Sequence, residues 1–360
     1  MNSEFPKLLK ATRHSKGLKI KEVSIISKID QALISKYESG SRKPTEDHLQ
    51  ALASAYQVEL GILRNPFIAE KIYNIVRYEK DLDSIWALAE TRIEYLRRSD
   101  GSGSFDLPET IRLRLQKLDQ LNLEYKKLHK QQNTQKEKAQ KYFALNYTYE
   151  SNKIEGNTMT LQETMLVINE GITISGKSIR EHLEAINHSE AIELLFDFVH
   201  RHQRFDERTL LQLHGMILRG IDRQNAGSYR RNNVRILGSS HTPPEPYLVP
   251  KLMEDYFHFY ETNVMRIHPV ILAAEMHERL VTIHPFIDGN GRTSRLAMNL
   301  ILMMNEYPVA ILKGDQDSRL SYFKALELVQ TDANPIPFYQ LIIDRLEATL
   351  LEYIELLRTE

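Results

Sequence analysis

The chain is predicted to be mainly α-helical, with a small helical head, a larger helical core and one short β-hairpin. Three observations carry that expectation. Apolar residues recur at spacings of three and four through most of the 360 residues, as one buried helix face requires. Alternation with a period of two stands out only at Val234 and Ile236. Glycine, proline and short polar clusters interrupt the apolar stripes at intervals suited to ordinary globular helices.

In order along the chain, Leu18, Ile20, Val23 and Ile26 mark a first amphipathic helix ending near Ser27. A short turn at Lys28-Ile29-Asp30 leads into a second helix, Gln31 to Glu38. Ser39-Gly40 and the basic segment Ser41-Arg42-Lys43-Pro44 close it, and a further helix from about Thr45 to Tyr56 carries Leu49, Leu52, Ala53 and Tyr56 on one face. Ile72, Ile75, Val76, Leu82, Ile85, Trp86 and Leu88 predict one helix or two. Residues 97–104, Arg-Arg-Ser-Asp-Gly-Ser-Gly-Ser, read as a flexible break by composition. From Pro108 a long helix shows Ile111, Leu115, Leu118, Leu121, Tyr125 and Leu128, a stripe suited to packing on the core. The polar run Lys130 to Lys138 reads as a solvated turn or helix face. No internal repeat of fixed period is present. The expected division is a head (1–62), a helical connector (63–145), a core (146–345) and a C-terminal helix (346–360).

Composition narrows the function. The whole chain carries a formal charge of −1, yet its first 44 residues hold ten Lys and Arg against four Asp and Glu. Such asymmetry points to a polyanionic partner for the head alone. The absence of cysteine excludes disulfides and thiolate metal sites, and fits a reducing cytoplasm. No run of about 18 apolar residues exists, and no apolar signal segment follows the charged start, so a membrane partner is not expected. His241, His268, His277 and His284 have no spacing that builds a zinc site.

The stretch from His284 to Arg295, His-Pro-Phe-Ile-Asp-Gly-Asn-Gly-Arg-Thr-Ser-Arg, concentrates the chemistry. A Gly-Asn-Gly turn lets backbone N–H groups approach an anion, because glycine has no side chain to hold a ligand away. Leu296, Leu300, Met303 and Met304 follow at helical spacing. The turn is therefore expected at a helix N-terminus, where unpaired N–H groups and the helix dipole favour phosphate. Arg292 and Arg295, three residues apart, can face one ligand.

These residues resemble the signature of the Fic family, His-x-Phe-x-Asp/Glu-Gly-Asn-Gly-Arg-x-x-Arg, with every fixed position met. The resemblance implies transfer of AMP from ATP to a Ser, Thr or Tyr hydroxyl of a target protein. His284 is then the base that takes the hydroxyl proton, and Asp288 holds Mg²⁺, a hard cation suited to oxygen ligands. Gly289, Asn290 and Gly291 cradle the phosphates. Arg292 and Arg295 clamp the β- and γ-phosphates and align the α-phosphorus for in-line attack. Phe286 reads as a buried anchor of the loop. The related Doc kinases carry a bulkier residue in the second glycine position, so Gly291 favours AMP transfer over phosphorylation.

Upstream, Ser151-Asn152-Lys153-Ile154-Glu155-Gly156 resembles the family's inhibitory motif. By that resemblance Glu155 pairs with Arg295 and keeps ATP in an incompetent pose, with Ser151 and Gly156 framing the turn. Between the motifs, Val234, Ile236, Leu237 and Gly238 are expected to form the hairpin flap on which an extended target segment docks by strand addition. Ile236 and Leu237 also border the nucleotide. Downstream, Tyr322 and Gln330 fall, by the same resemblance, near the adenine or ribose; core packing is the competing reading for Tyr322.

The head resembles the helix-turn-helix domain of the Cro and phage-repressor type, whose second helix enters the major groove. Gln31 is the natural base reader, since its amide can pair bidentately with adenine. Ala32 and Ser35 can touch bases, while Lys36, Arg42 and Lys43 meet phosphates. The expected protein is a self-inhibited adenylyltransferase using ATP and Mg²⁺ on a target or on itself, with a DNA-binding head and a dimeric assembly. The alternatives are a transcriptional regulator that senses nucleotide through its Fic core, and a hydrolase that removes AMP using Glu155.

Overall fold

The computed structural model describes residues 4–82, 85–86, 107–131, 133–236 and 238–358. Two compact units divide the chain, residues 1–94 and 95–360.

In the first unit, α1 (Glu4–Ser15), α2 (Ile20–Ser27), α3 (Gln31–Glu38), α4 (Glu46–Tyr56) and α5 (Leu60–Val76) enclose a core of Leu9, Val23, Ile34, Tyr37, Leu49 and Leu63. Helix α3 begins where Asp30 accepts N–H bonds from Ala32 (2.8 Å) and Leu33 (3.2 Å), which satisfies donors that the first turn leaves unpaired. Thr45 caps α4 in the same way through the His48 amide (3.3 Å). Arg13 grips Glu38 with both ends of its guanidinium (2.7 and 2.8 Å), tying α1 to α3 where both side chains are buried. Helix α1 was not expected from the sequence, although Phe5, Pro6 and Leu9 are buried and Leu8 packs beside them. Leu63 and Phe67 also lie in this core, so α5 is part of the head.

The second unit runs α6 (Glu109–Gln131), α7 (Asn133–Ile154), α8 (Leu161–Glu170), α9 (Ile179–His200), α10 (Glu207–Ile217), α11 (Val249–Asn263), α12 (Pro269–Ile283), α13 (Asn290–Met304), α14 (Gln316–Asp332) and α15 (Ile336–Arg358). A 3-10 turn, Pro246–Leu248, precedes α11. Helices α12 and α13 are buried almost all round and form the centre of the core. Helix α6 packs its stripe along α15, with Ile111, Leu115, Leu118 and Tyr125 inside. The polar run from residue 133 is the first turn of α7, and residues 346–358 of the expected C-terminal helix form the second half of α15, with Leu346, Leu350 and Leu357 buried.

The expected β-hairpin is not found: no strand occurs among the described residues. The segment at Val234 and Ile236 is irregular, and a turn bond from the Ser239 amide to the Ile236 carbonyl (3.3 Å) follows it. A second strand has no run to form from, since Ser239-Ser240-His241-Thr242 gives way to Pro243 and Pro244, which cannot donate ladder bonds. Leu237 and the expected break at 97–104 lie outside the described residues. Among the described residues, no helix is long and apolar enough to cross a membrane.

Candidate active site

The loop between α12 and α13 is shaped by two left-handed residues. His284 (φ 51°) ends α12, its amide bonded to the Leu280 carbonyl at 2.9 Å. Gly289 (φ 79°) opens α13, in a conformation that costs glycine little. Within the loop, Asn290 spends its side chain on Phe286: Oδ1 accepts from the Phe286 amide (3.0 Å) and Nδ2 donates to its carbonyl (2.9 Å). Any anion cradle here therefore uses the backbone of Asn290, not its amide group. The Phe286 ring is fully buried and stacked on His214, centroids 3.6 Å apart.

His214 is part of the loop's floor. Its Nδ1 accepts from the Gly227 amide (3.0 Å), so Nε2 carries the proton and donates to the Asp288 carbonyl (3.0 Å). Arg230 staples the other side, donating to the carbonyls of His284 (2.7 Å), Asn232 (3.1 Å) and Pro244 (2.5 Å), while its amide bonds Pro285 O at 2.8 Å. The segment from Arg230 to His241 thus flanks His284, and His241 reaches Thr282 O at 2.9 Å.

His284 contacts Val281 O through Nδ1 at 3.2 Å, which requires the proton on Nδ1 and leaves the Nε2 lone pair free. Burial pushes this imidazole down to about 4, with Arg230 and His241 adding to the shift against the Val281 bond and the Glu155 charge. The ring is neutral throughout the physiological range, as a proton acceptor must be.

Three charged groups, Arg180, Glu184 and Arg292, close a ring with Asp288. Arg180 Nη2 donates to Asp288 Oδ2 (2.5 Å) and its Nε to Glu184 Oε1 (3.2 Å). Arg292 lies 3.3 Å from both Asp288 Oδ1 and Glu184 Oε1. The Gly289 amide adds a bond to Asp288 Oδ1 at 2.6 Å. Burial raises the Asp288 carboxyl, but Arg292, the Gly289 N–H and Arg180 outweigh it and hold the group below the usual carboxylate range.

Arg295 is buried, at 1% side-chain exposure, and α7 meets it directly. Ser151 accepts two bonds from it, through Oγ and through its carbonyl, each 2.9 Å long. Glu155 Oε1 takes a third at 2.7 Å. Gly156 (φ 99°) then turns the chain, and Asn157 Nδ2 bonds Glu184 Oε2 at 3.2 Å, linking this turn to the charged ring. A methyl group at 291 would run into the Glu155 carboxylate and come within 3.2 Å of Arg295 Nη1. Only glycine leaves that carboxylate room to reach the arginine. The end of α7 is fixed from behind, where Glu150 accepts the Gly314 amide (2.8 Å) and a Cβ at 314 would stand 2.8 Å from the Lys153 side chain.

Other expected residues are distributed unevenly. Tyr322 is 2% exposed, its hydroxyl 3.2 Å from His277 Nε2, so it packs behind Arg295 instead of facing open space. Gln330 bonds the Thr282 hydroxyl (3.3 Å), two residues before His284. Val234 and Ile236 are half-buried and Gly238 is exposed in the flanking segment. In the head, Gln31, Ala32, Ser35 and Lys36 share the exposed side of α3, opposite the buried Ile34 and Tyr37, and Arg42 and Lys43 are exposed in the next turn. Sequence reasoning missed Arg180, Glu184, His214 and Arg230 as site-builders. Arg180, Glu184 and His214 sit on helices and Arg230 in an irregular segment, each far along the chain from the loop it serves.

The helical core thus brings a histidine, a carboxylate and a helix N-terminus together in one loop, with Glu155 of the same chain bonded to the loop's last arginine. Residues 204–302 match the Fic/DOC family and residues 9–63 a helix-turn-helix domain. The chain belongs to the Fic family and carries a helix-turn-helix head. It is 32% identical to the protein adenylyltransferase Fic of Drosophila virilis over 310 residues, 86% of this chain and 62% of that protein. The corresponding protein of Drosophila mojavensis is 36% identical over 242 residues, 67% of this chain and 47% of the relative. The chain thus spans about half to two thirds of the length of these relatives. Among solved structures, a Fic domain containing signaling protein from Bacteroides thetaiotaomicron matches with a TM-score of 0.63 at 25% identity, over 68% of this chain and 97% of that one. Fic-1 from C. elegans matches with a TM-score of 0.60, covering 94% of this chain and 98% of that one; at 24% identity this speaks for the fold alone.

Proposed function

We propose that this protein is a self-inhibited adenylyltransferase that moves AMP from ATP to a Ser, Thr or Tyr hydroxyl of a target protein or of itself. The observation that carries the reading is the neutral His284, its Nε2 unprotonated, in the same loop as the α13 N-terminus and the two buried arginines. His284 Nε2 takes the hydroxyl proton as the oxygen attacks the α-phosphorus, and the bond to pyrophosphate breaks. Arg292, Arg295 and the backbone N–H groups of Gly289 to Gly291 orient the polyphosphate.

Mg²⁺ suits Asp288. No group of three or more potential ligand side chains occurs among the described residues. The ion would rest on one carboxylate, phosphate oxygens and water, the ligand set that Mg²⁺ ordinarily takes with nucleotides. Bound there, it would neutralise phosphate charge. Glu155 blocks the productive pose by holding Arg295, and the Arg230–His241 segment beside His284 receives an extended target chain. The head binds DNA through the exposed side of α3, with Gln31, Ala32 and Ser35 towards the bases and Lys36, Arg42 and Lys43 towards phosphates.

A second reading is favoured by the partial exposure of Glu155, whose side chain is 35% accessible. A carboxylate so placed can orient water and remove AMP from a modified target. AMP incorporation from α-labelled ATP with Mg²⁺ tests the main reading. Label should be weak on wild type, strong on Glu155→Gly and absent on Glu155→Gly/His284→Ala. No label in any of the three, on the protein itself or in an extract, would refute it.

A further inference from the structure

We propose that Arg180 is a built-in cation that occupies the Asp288 carboxylate until a divalent metal displaces it. The inference rests on the reading of Asp288 as the metal ligand and adds a residue that the loop's own motif does not contain.

Both oxygens of Asp288 are engaged. Oδ1 accepts from the Gly289 amide and lies against Arg292, while Oδ2 is held by Arg180 at 2.5 Å. The two arginines are not equivalent. The Arg292 side chain is 3% exposed and fixed within α13, whereas that of Arg180 is 57% exposed, one residue inside the start of α9. A dication and a guanidinium on one carboxylate oxygen repel each other, so metal binding favours the departure of the arginine that is free to move. Arg180 is the one with a route to solvent.

It also has somewhere to go. Its Nε already bonds Glu184 Oε1 at 3.2 Å, and that bond does not depend on Asp288. A guanidinium released from Asp288 keeps this partner and needs only a side-chain rotation, because α9 is held in place by its capping box, Ser178 with Glu181. Glu184 is anchored in turn by Asn157 and Arg292. Metal entry and arginine departure are then one exchange, and the protein's affinity for the metal is lowered by the strength of the pair that must break. This restraint acts on Asp288 and is separate from the one that Glu155 places on Arg295.

The experiment is Mn²⁺ binding to the full chain without nucleotide, followed by water-proton relaxation, for wild type, Arg180→Ala, Arg180→Lys and Asp288→Ala. Arg180→Ala should bind Mn²⁺ about two- to fivefold more tightly, the factor expected from losing a solvent-accessible ion pair. Arg180→Lys, which keeps the charge without the fork, should fall between it and wild type. Asp288→Ala should lose the site. If Arg180→Ala binds no more tightly than wild type while Asp288→Ala loses binding, the exchange is wrong and Asp288 remains the metal ligand. If Asp288→Ala binds Mn²⁺ as wild type does, both readings fall together.

Discussion

Replacing Glu155 with glycine should lower the stability of the nucleotide-free protein and raise its response to nucleotide, by linked amounts. The perturbation removes a 2.7 Å bond to Arg295 and leaves a buried guanidinium with its two bonds to Ser151 but no carboxylate partner. A hydrogen bond to a charged group contributes about 1.5–3 kcal/mol. Glu155 is a third exposed, so solvent screening brings the figure down to roughly 1–2 kcal/mol. For a unit of this size that corresponds to a fall of about 2–4 °C in melting temperature. If phosphate competes with Glu155 for Arg295, the same free energy returns as affinity, about 5- to 30-fold tighter nucleotide binding. Melting curves with and without a non-hydrolysable ATP analogue and Mg²⁺ measure both quantities. The variant should start below wild type and gain more from the nucleotide, so the gap narrows at saturation. A variant that melts with wild type and shifts equally would show that Glu155 is a bystander at Arg295.

Acid should destabilise the second unit well above the carboxylate range. His284 and His214 are each pushed by burial to about 4 in the folded protein, against an ordinary 6.5. The unfolded chain therefore takes up protons that the folded rings refuse, and stability that is complete above pH 6.5 declines as the pH falls towards 4. Urea midpoints should drop steadily across that window, with a smaller slope in His284→Ala; a flat midpoint would contradict the burial argument. Asn290→Ala strands the amide and carbonyl of buried Phe286, which should cost about 2–5 kcal/mol by denaturant titration. A loss below about 1 kcal/mol would mean that the loop relaxes around the change. In the head, Lys36→Gln and Lys43→Gln should each reduce the slope of log affinity against log salt by about 1, without changing sequence preference. Gln31→Ala should instead relax preference at one base pair, at about 1–3 kcal/mol. Fluorescence anisotropy on a selected DNA site distinguishes the two behaviours.

The loop from His284 to Arg295 was legible because its chemistry is local: a glycine-flanked turn followed by an apolar stripe can only begin a buried helix. The stripe from Ile111 to Leu128 was legible for the same reason, its period being that of the helix it forms. Spacing alone cannot join Glu155 to Arg295, which are 140 positions apart, and there the resemblance supplied the link. Arg180 and Arg230 had neither help. Their partners are backbone or carboxyl groups brought near by tertiary packing, and their local sequences look like solvated surface. The hairpin failed because alternation in one segment says nothing about a partner strand, and the prolines at 243 and 244 remove the donors that such a partner would need. Helix α1 was missed although Phe5, Leu8 and Leu9 recur at helical spacing and pack into the core of the head, so its period was there to be read.

Under the self-inhibition proposed above, the clamp behind α7 sets what kind of control Glu155 would exert. With Ser151 bonded to Arg295 and Glu150 bonded to Gly314, the helix is held at two points, and the Glu155 side chain beyond them can release Arg295 without moving the helix. Side chains rotate in picoseconds to nanoseconds when exposed, far faster than a turnover. A hold of about 1–2 kcal/mol leaves the arm lifted roughly 3–15% of the time. On that reading, output would follow the fraction of time spent open and would be graded, like a dimmer. Coupling of this sort is also reciprocal: whatever pulls on the 155–157 turn alters how tightly nucleotide is held, and nucleotide pulls back with equal strength.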